Sequence, residues 1–195
     1  MTAFYFDVSG VIIPDKFTAS AQAVFRDLGQ RHAFDADIAH ARYTELQHSL
    51  DLGSTSLTDF CAAIGMDQHS FERDWLAMHP VDGEVISTIH HLLSQGRSVG
   101  LATNFCRRLL DLVIESAPGL STVSVCCSSD IGVAKPSAEF FRRASAIIGS
   151  RDVVFVDDRM VNVEAARRFG WTAVHAANGW HARFRHKYLA DSVGI

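Results

Sequence analysis

Side chains able to do chemistry sit in this chain directly after short apolar runs. Asp7 ends the run Ala3–Phe6 and is followed by Ser9 and Gly10. Thr103 and Asn104 follow a second run, and a third leads through a loop to Lys135-Pro136. Asp157 and Asp158 close a fourth, with Asn162 four residues beyond Asp158. Short apolar runs bounded by turn residues read as buried strands, and in open α/β sheets ligands bind beyond the carboxyl ends of the strands. Three aspartates, a hydroxyl, an amide and a lysine are thus expected at one rim. Strand-end carboxylates suit a hard divalent cation such as Mg2+, which takes oxygen ligands and keeps water and substrate phosphate in its shell. A lysine and a threonine beside them suit the remaining phosphate oxygens. Lysine is scarce here, at Lys16, Lys135 and Lys187 alone, so its placement at that rim is informative. Each group has a bland reading when taken singly: a turn aspartate, a solvated loop lysine, an acidic pair capping a helix. Their joint spacing is what argues for a site.

The elements that must position these residues follow from the same pattern. Ala3–Phe6 reads as the first strand, and a mainly helical stretch occupies residues 15–79. Within it Ile38, Leu46 and Leu50 recur at multiples of four, as for one helix face, and Ser56-Leu-Thr-Asp59 has the form of a capping box. From Asp82 onward strands and helices alternate. Asp82 caps a helix with Val85, Ile86, Ile89, Leu92 and Leu93 inward. Strands are expected at 98–102, 122–127, 153–156 and 172–175, with helices at 105–116, 136–148 and 161–169 between and after them. In the helix at 136–148, Phe140, Phe141, Ala144, Ile147 and Ile148 should face the core. Alternation of this kind predicts a doubly wound parallel α/β sheet covered on both faces. Residues 1–14 and 80–195 would form that core, with 15–79 a helical insert.

Composition excludes several classes. Of 195 residues, 48% are hydrophobic and 21% charged, with a net charge of −4. This is an ordinary globular balance, long enough for one well-buried core. Mild acidity argues against nucleic acid, which calls for a basic face. No apolar run approaches the ~18 residues of a membrane span. Met1–Phe6 is apolar, but Asp7 breaks it early and no basic residue precedes it, unlike a signal peptide. Cys61, Cys106, Cys126 and Cys127 show no CxxC spacing, so free thiols in a reducing cytoplasm are expected. Residues 179–188 mix basic and aromatic side chains. An amphipathic helix packing Trp180, Phe184 and Tyr188 explains them, and a homodimer contact there stays open. His90 and His91, adjacent and diverging on a helix, read as exposed.

The stretches FYFDVSGVIIP (4–14), LATN (101–104), SSDIGVAKPSAEFF (128–141) and VVFVDDRMVNVEAARRFGWTAV (153–174) together resemble the haloacid dehalogenase superfamily, made up mostly of Mg2+-dependent phosphatases. The resemblance spans nearly the whole chain, because the helical stretch matches that superfamily's cap after the first strand of a Rossmann-like core. It implies that Asp7 is the nucleophile, forming an aspartyl phosphate. Thr103 and the backbone of Asn104 would hold the phosphate, and Lys135 would neutralise the transferring group. Asp7, Asp158 and the backbone carbonyl of Ser9 would bind the metal, with Asp157 acting through water and Asn162 orienting from behind. The implied partner is a small phosphorylated metabolite.

Ser9 departs from that pattern. Phosphatases of the superfamily usually carry a second aspartate there, which protonates the leaving alcohol and activates water, and serine does neither at neutral pH. Proton transfer by a placed group is worth about 10²–10⁴ in rate. Three readings stay open. The substrate has a good leaving group, such as an anomeric or acyl phosphate; or the cap supplies an acid, with Glu45, Asp51, His48 and His40 as candidates; or turnover is weak and the protein binds a phosphorylated ligand or transfers its phosphoryl group. Phosphonate cleavage would require a cap lysine for a Schiff base, and Lys16 lies only at the cap entrance. The metal-free dehalogenase branch does not keep an acidic pair like Asp157-Asp158.

Overall fold

The computed structural model describes residues 2–189. Five parallel strands form one sheet in the order β3-β2-β1-β4-β5. They are β1 (Ala3–Phe6), β2 (Val99–Thr103), β3 (Ser124–Cys127), β4 (Val153–Asp157) and β5 (Thr172–His175). Every crossover contains a helix, so both faces are covered, as the alternation predicts. Side chains of a strand point alternately to either face. Phe4 and Phe6 therefore enter one apolar core, while Ala3 and Tyr5 enter the other.

The second core lies under α8 (Ala138–Ile148) and α9 (Met160–Phe169), built on Phe140, Phe141, Phe155 and Trp171. The first is shared with α5 (Gly83–Ser94), α6 (Arg107–Ser116) and α10 (Trp180–Leu189). It continues into four helices between β1 and α5: α1 (Lys16–His32), α2 (Ala36–Asp51), α3 (Leu57–Ala63) and α4 (Gln68–Met78). Asp35, Ser56, Asp67 and Asp82 cap α2, α3, α4 and α5, each accepting main-chain N–H groups of the first turn. α7 is a single turn, Ser128–Ile131. In α10, Phe184 is buried and meets Phe4 edge-on at 5.9 Å between centroids, with Tyr188 beside it. The aromatic side of that basic segment is thereby used in the core. No helix of the described residues is long and apolar enough to cross a membrane.

Two residues expected inside lie outside. Ile38 is 59% exposed; the buried side of α2 is Ala39, Tyr43 and Leu50. At about 100° per residue, twelve residues from Ile38 to Leu50 drift by roughly 120°, so spacing by fours does not hold one face over that length. Ile147 is 43% exposed although seven residues bring it back to within about 20° of Phe140; it stands in the last turn of α8. β2 and β4 each run one residue further than the apolar run suggests, which takes Thr103 and Asp157 into the sheet. β3 is shorter, because 120–122 form a 3₁₀ turn.

Candidate active site

β1 lies between β2 and β4, so the carboxyl ends of all three are adjacent. The register sets Phe6 beside both Leu101 and Val156, which brings Asp7 abreast of Asp157 and near Thr103. Lys135 arrives from a loop after β3. Its side chain is fully buried, and Nζ lies 2.8 Å from Asp7 Oδ2 and 2.7 Å from Asp157 Oδ2. Asn104 fixes that loop: its Nδ2 donates to the Lys135 carbonyl at 2.9 Å and its Oδ1 accepts the Lys135 N–H at 2.8 Å.

Asp157 is the most fully satisfied carboxylate. Asn162 Nδ2 approaches both of its oxygens, at 3.1 and 3.0 Å, and the Arg159 N–H donates to Oδ1 at 2.8 Å. With Lys135 on Oδ2, each oxygen has two donors, which leaves Asp157 little capacity to ligate an ion directly. Asp7 accepts the Val8 N–H at 2.7 Å. Asp158 is half-buried, and its carboxylate lies against Gly10. Gly10 has φ +75°, and a Cβ there would overlap the Asp158 carboxylate, so glycine is required on both counts. His175 Nε2–H donates to the Asp158 carbonyl at 2.9 Å and steadies it.

Asp7, Asp157 and Asp158 bring carboxylate oxygens within 4.8 Å of one another. Three ionised carboxylates against one ammonium would leave two negative charges in excess in a buried space, where like charges are costly. The acid–base character follows. Burial, aided by Asp157 and opposed by Lys135, pushes Asp7 up to about 8. Burial, then Asp157 and Asp15, pushes Asp158 up. Burial opposes the charge on Asp157, but Lys135 and the hydrogen bonds hold it below the ordinary carboxylate value. Burial likewise works against Lys135, and its two carboxylates outweigh that and raise it. A hard divalent cation fits this donor set, being all oxygen and short of positive charge.

Thr103 Oγ1 is buried without a hydrogen-bond partner among the described residues. A buried hydroxyl left unpaired costs about 1–3 kcal/mol, and this one stands at the end of β2, on the same rim as Asp7. Ser9 sits in the turn after β1, where the N–H groups of Ile12 and Ile13 both reach the Val8 carbonyl at 2.8 and 3.0 Å. It lines a cavity of about 90 Å³ between the strand ends and the helical stretch, walled by Tyr43, Trp75 and Phe105 and bordered by Asp15 and Asp51. Of the four acids expected from the helical stretch, Asp51 alone lines this cavity. Glu45 is exposed and paired with Arg42 at 2.8 Å. His48 is exposed, and His40 lies against the Phe25 ring at 6.2 Å between centroids.

Sequence reading assigned the backbone of Asn104 to phosphate but missed its side chain, which clamps the lysine loop. It also missed His175 and Ser128. Ser128 Oγ donates to the Asp51 carbonyl and accepts the Phe105 N–H at 3.0 Å. These contacts join residues far apart in the chain, and no local pattern announces them.

A family model described as haloacid dehalogenase-like hydrolase matches residues 1–170. No curated protein matches the chain. Among solved structures, a family enzyme from Bacteroides thetaiotaomicron, in complex with magnesium and inorganic phosphate, superposes with TM-score 0.72 at 17% identity, covering 95% of this chain and 100% of that one. A phosphatase of the same family from Thermococcus onnurineus gives 0.66 at 21% identity, covering 92% and 88%. L-2-haloacid dehalogenase from Xanthobacter autotrophicus, with chloropropionic acid covalently bound, gives 0.60 at 14% identity, covering 99% and 84%. At these identities the likeness establishes the shared fold.

Proposed function

The chain belongs to the haloacid dehalogenase-like hydrolases, and from that premise we propose that it is a Mg2+-dependent phosphatase of a small phosphate monoester, acting through an aspartyl phosphate on Asp7. The observation that carries this reading is the unpaired Thr103 hydroxyl on the same rim as the Asp7–Lys135 pair. It offers a hydrogen-bond donor, beside a nucleophile and a fixed ammonium, to a ligand rich in acceptors. Asp7 attacks phosphorus as the bond to the leaving oxygen breaks, and Lys135 Nζ and Thr103 Oγ1–H stabilise the charge on the phosphoryl oxygens. Asp7, Asp158 and the Ser9 carbonyl would hold Mg2+, and Asp157 would organise Lys135 and water behind them. When bound, the ion polarises the phosphoryl group and neutralises its charge. The crystallised relative holding magnesium and phosphate supports this choice.

The acidic pair Asp157-Asp158 favours phosphoryl transfer over carbon–halogen displacement, since three carboxylates gain most from a bound cation. The helical stretch 15–79 acts as the cap that selects substrate. Its cavity is small, rich in aromatic side chains and, among the described residues, lined by no lysine or arginine, which suits a compact leaving group. Ser9 keeps one further reading in view, a phosphate-binding or phosphoryl-transferring member with slow hydrolysis.

Phosphate release from a panel of sugar 1-phosphates, acyl phosphates and alkyl phosphates, with Mg2+ and then with EDTA, tests the proposal. Release should require Mg2+, and Asp7→Asn should abolish it while the fold stays intact. Activity retained in Asp7→Asn overturns the mechanism.

A further inference from the structure

Building on the phosphatase reading, we propose that Asp51, carried on the last turn of α2, donates the proton to the leaving oxygen and then activates the hydrolytic water, the role that Ser9 cannot fill. Several independent observations converge on this residue. Asp51 and Ser9 line the same cavity of about 90 Å³, which opens beside the turn that follows Asp7. No side-chain hydrogen bond from the described residues engages the Asp51 carboxylate.

Its main chain, by contrast, is fixed. Ser128 Oγ–H donates to the Asp51 carbonyl and the same oxygen accepts the Phe105 N–H at 3.0 Å. Ser128 directly follows β3, and Phe105 lies two residues beyond Thr103, so the strand ends that present the phosphate-binding hydroxyl also hold Asp51. Gly53, with φ +74°, brings the chain so close to the Ser129 carbonyl that a Cβ would overlap it. The end of α2 is thereby seated on the catalytic rim and not merely near it.

The surroundings suit a proton donor. Around the carboxyl stand Arg159 from the loop after β4, Tyr43 on α2, Cys106 at the start of α6, and Asp15 and His79 in the same cavity. Burial pushes Asp51 up to about 7, against the pull of Arg159. Burial lowers His79 below the ordinary imidazole value, and its Nδ1–H is already taken by the Trp75 carbonyl at 2.7 Å, which disfavours it as the donor. A carboxyl poised near neutral pH can act first as acid and then as base. In the first half-reaction the bond from phosphorus to the leaving oxygen breaks, the bond to Asp7 forms, and the Asp51 proton goes to that oxygen, giving the alcohol. In the second, water bonds to phosphorus, its proton passes to Asp51, and inorganic phosphate leaves with the Asp7 carboxylate restored.

Pre-steady-state kinetics with an alkyl phosphate and with p-nitrophenyl phosphate separates the two steps. In Asp51→Asn the first turnover of the alkyl phosphate should slow about 10²–10⁴-fold. The first-turnover burst of p-nitrophenolate should stay within a few-fold of wild type, followed by a slow steady state. The limb near pH 7 in the alkyl-phosphate profile should vanish, and adding Ser9→Asp to Asp51→Asn should recover alkyl-phosphate turnover. Equal slowing of the first turnover for both substrates, or an unchanged alkyl phosphate rate, overturns the assignment. So does a leaving-group split found in Asp15→Asn and not in Asp51→Asn. Absence of release from both substrates by the wild type overturns the phosphatase reading itself, and this assignment with it.

Discussion

At the residue scale, Asp51 sets function against stability. Its carboxyl moves from the ordinary 3.8 to about 7, chiefly through burial. An acid whose folded value lies above its unfolded value destabilises the fold once pH passes the unfolded value. Below about 3.8 both states are protonated and nothing is lost; between there and 7 the unfolded chain alone ionises; above 7 the loss is complete. At about 1.4 kcal/mol per pH unit the ceiling is about 4 kcal/mol, and water reaching the half-buried side chain lowers it to about 1–2 kcal/mol. Asp51→Asn should therefore be more stable than wild type, by more at pH 8 than at pH 5, in denaturant unfolding. A difference that does not change with pH contradicts this. Asp7, Thr103, Lys135, Asp157 and Asp158 were all legible in the sequence as one rim. The task of each was less so: the hydrogen-bond saturation of Asp157 and the clamp made by the Asn104 side chain depend on partners 5 and 31 residues away.

At the scale of elements, one hydroxyl joins the end of α2 to the strand ends, beside the close approach of Gly53 to the Ser129 carbonyl. Ser128 bridges the Asp51 carbonyl and the Phe105 N–H, and both would be left unpaired in Ser128→Ala. Such a loss costs about 1–3 kcal/mol. The expected result is a lower unfolding midpoint together with slower alkyl-phosphate turnover, since the end of α2 loses its seat; an unchanged midpoint would show that the joint carries no weight. The strands were legible because each is a short, mostly apolar run between turn residues, with Ser124, Thr172 and His175 confined to the edge strands β3 and β5. The helical stretch was harder. Ile38 is exposed because spacing by fours precesses around a helix, and Ile147 is exposed although its spacing returns it to the side of Phe140; only the neighbouring surface decides where the apolar stripe must lie.

At the scale of the whole molecule, the sheet order gathers positions 7, 103, 135 and 158 at one charged rim with more carboxylate than ammonium. An ion that binds this native arrangement, and not the unfolded chain, must stabilise the fold, by about 2.7 kcal/mol at one hundred times its Kd. Mg2+ should raise the melting temperature, EDTA should reverse the rise, and Asp158→Asn should remove most of it. A wild type insensitive to Mg2+ in calorimetry would remove the cation from the site.

By itself the sequence determined the alternation of strands and helices, the parallel α/β class, and the side chains at the strand ends. All of these follow from local periodicity and from the rule that strand ends carry the ligand site. Tertiary structure alone decided which carboxyl of the helical stretch reaches the cavity, how the lysine is held, and that the Thr103 hydroxyl has no partner among the described residues. Those outcomes rest on hydrogen bonds and close approaches between residues far apart in the chain, such as Ser128 and Asp51, 77 positions apart, or Lys135 and Asp7. No periodicity encodes such pairings, because they exist only once the helices have packed on the sheet.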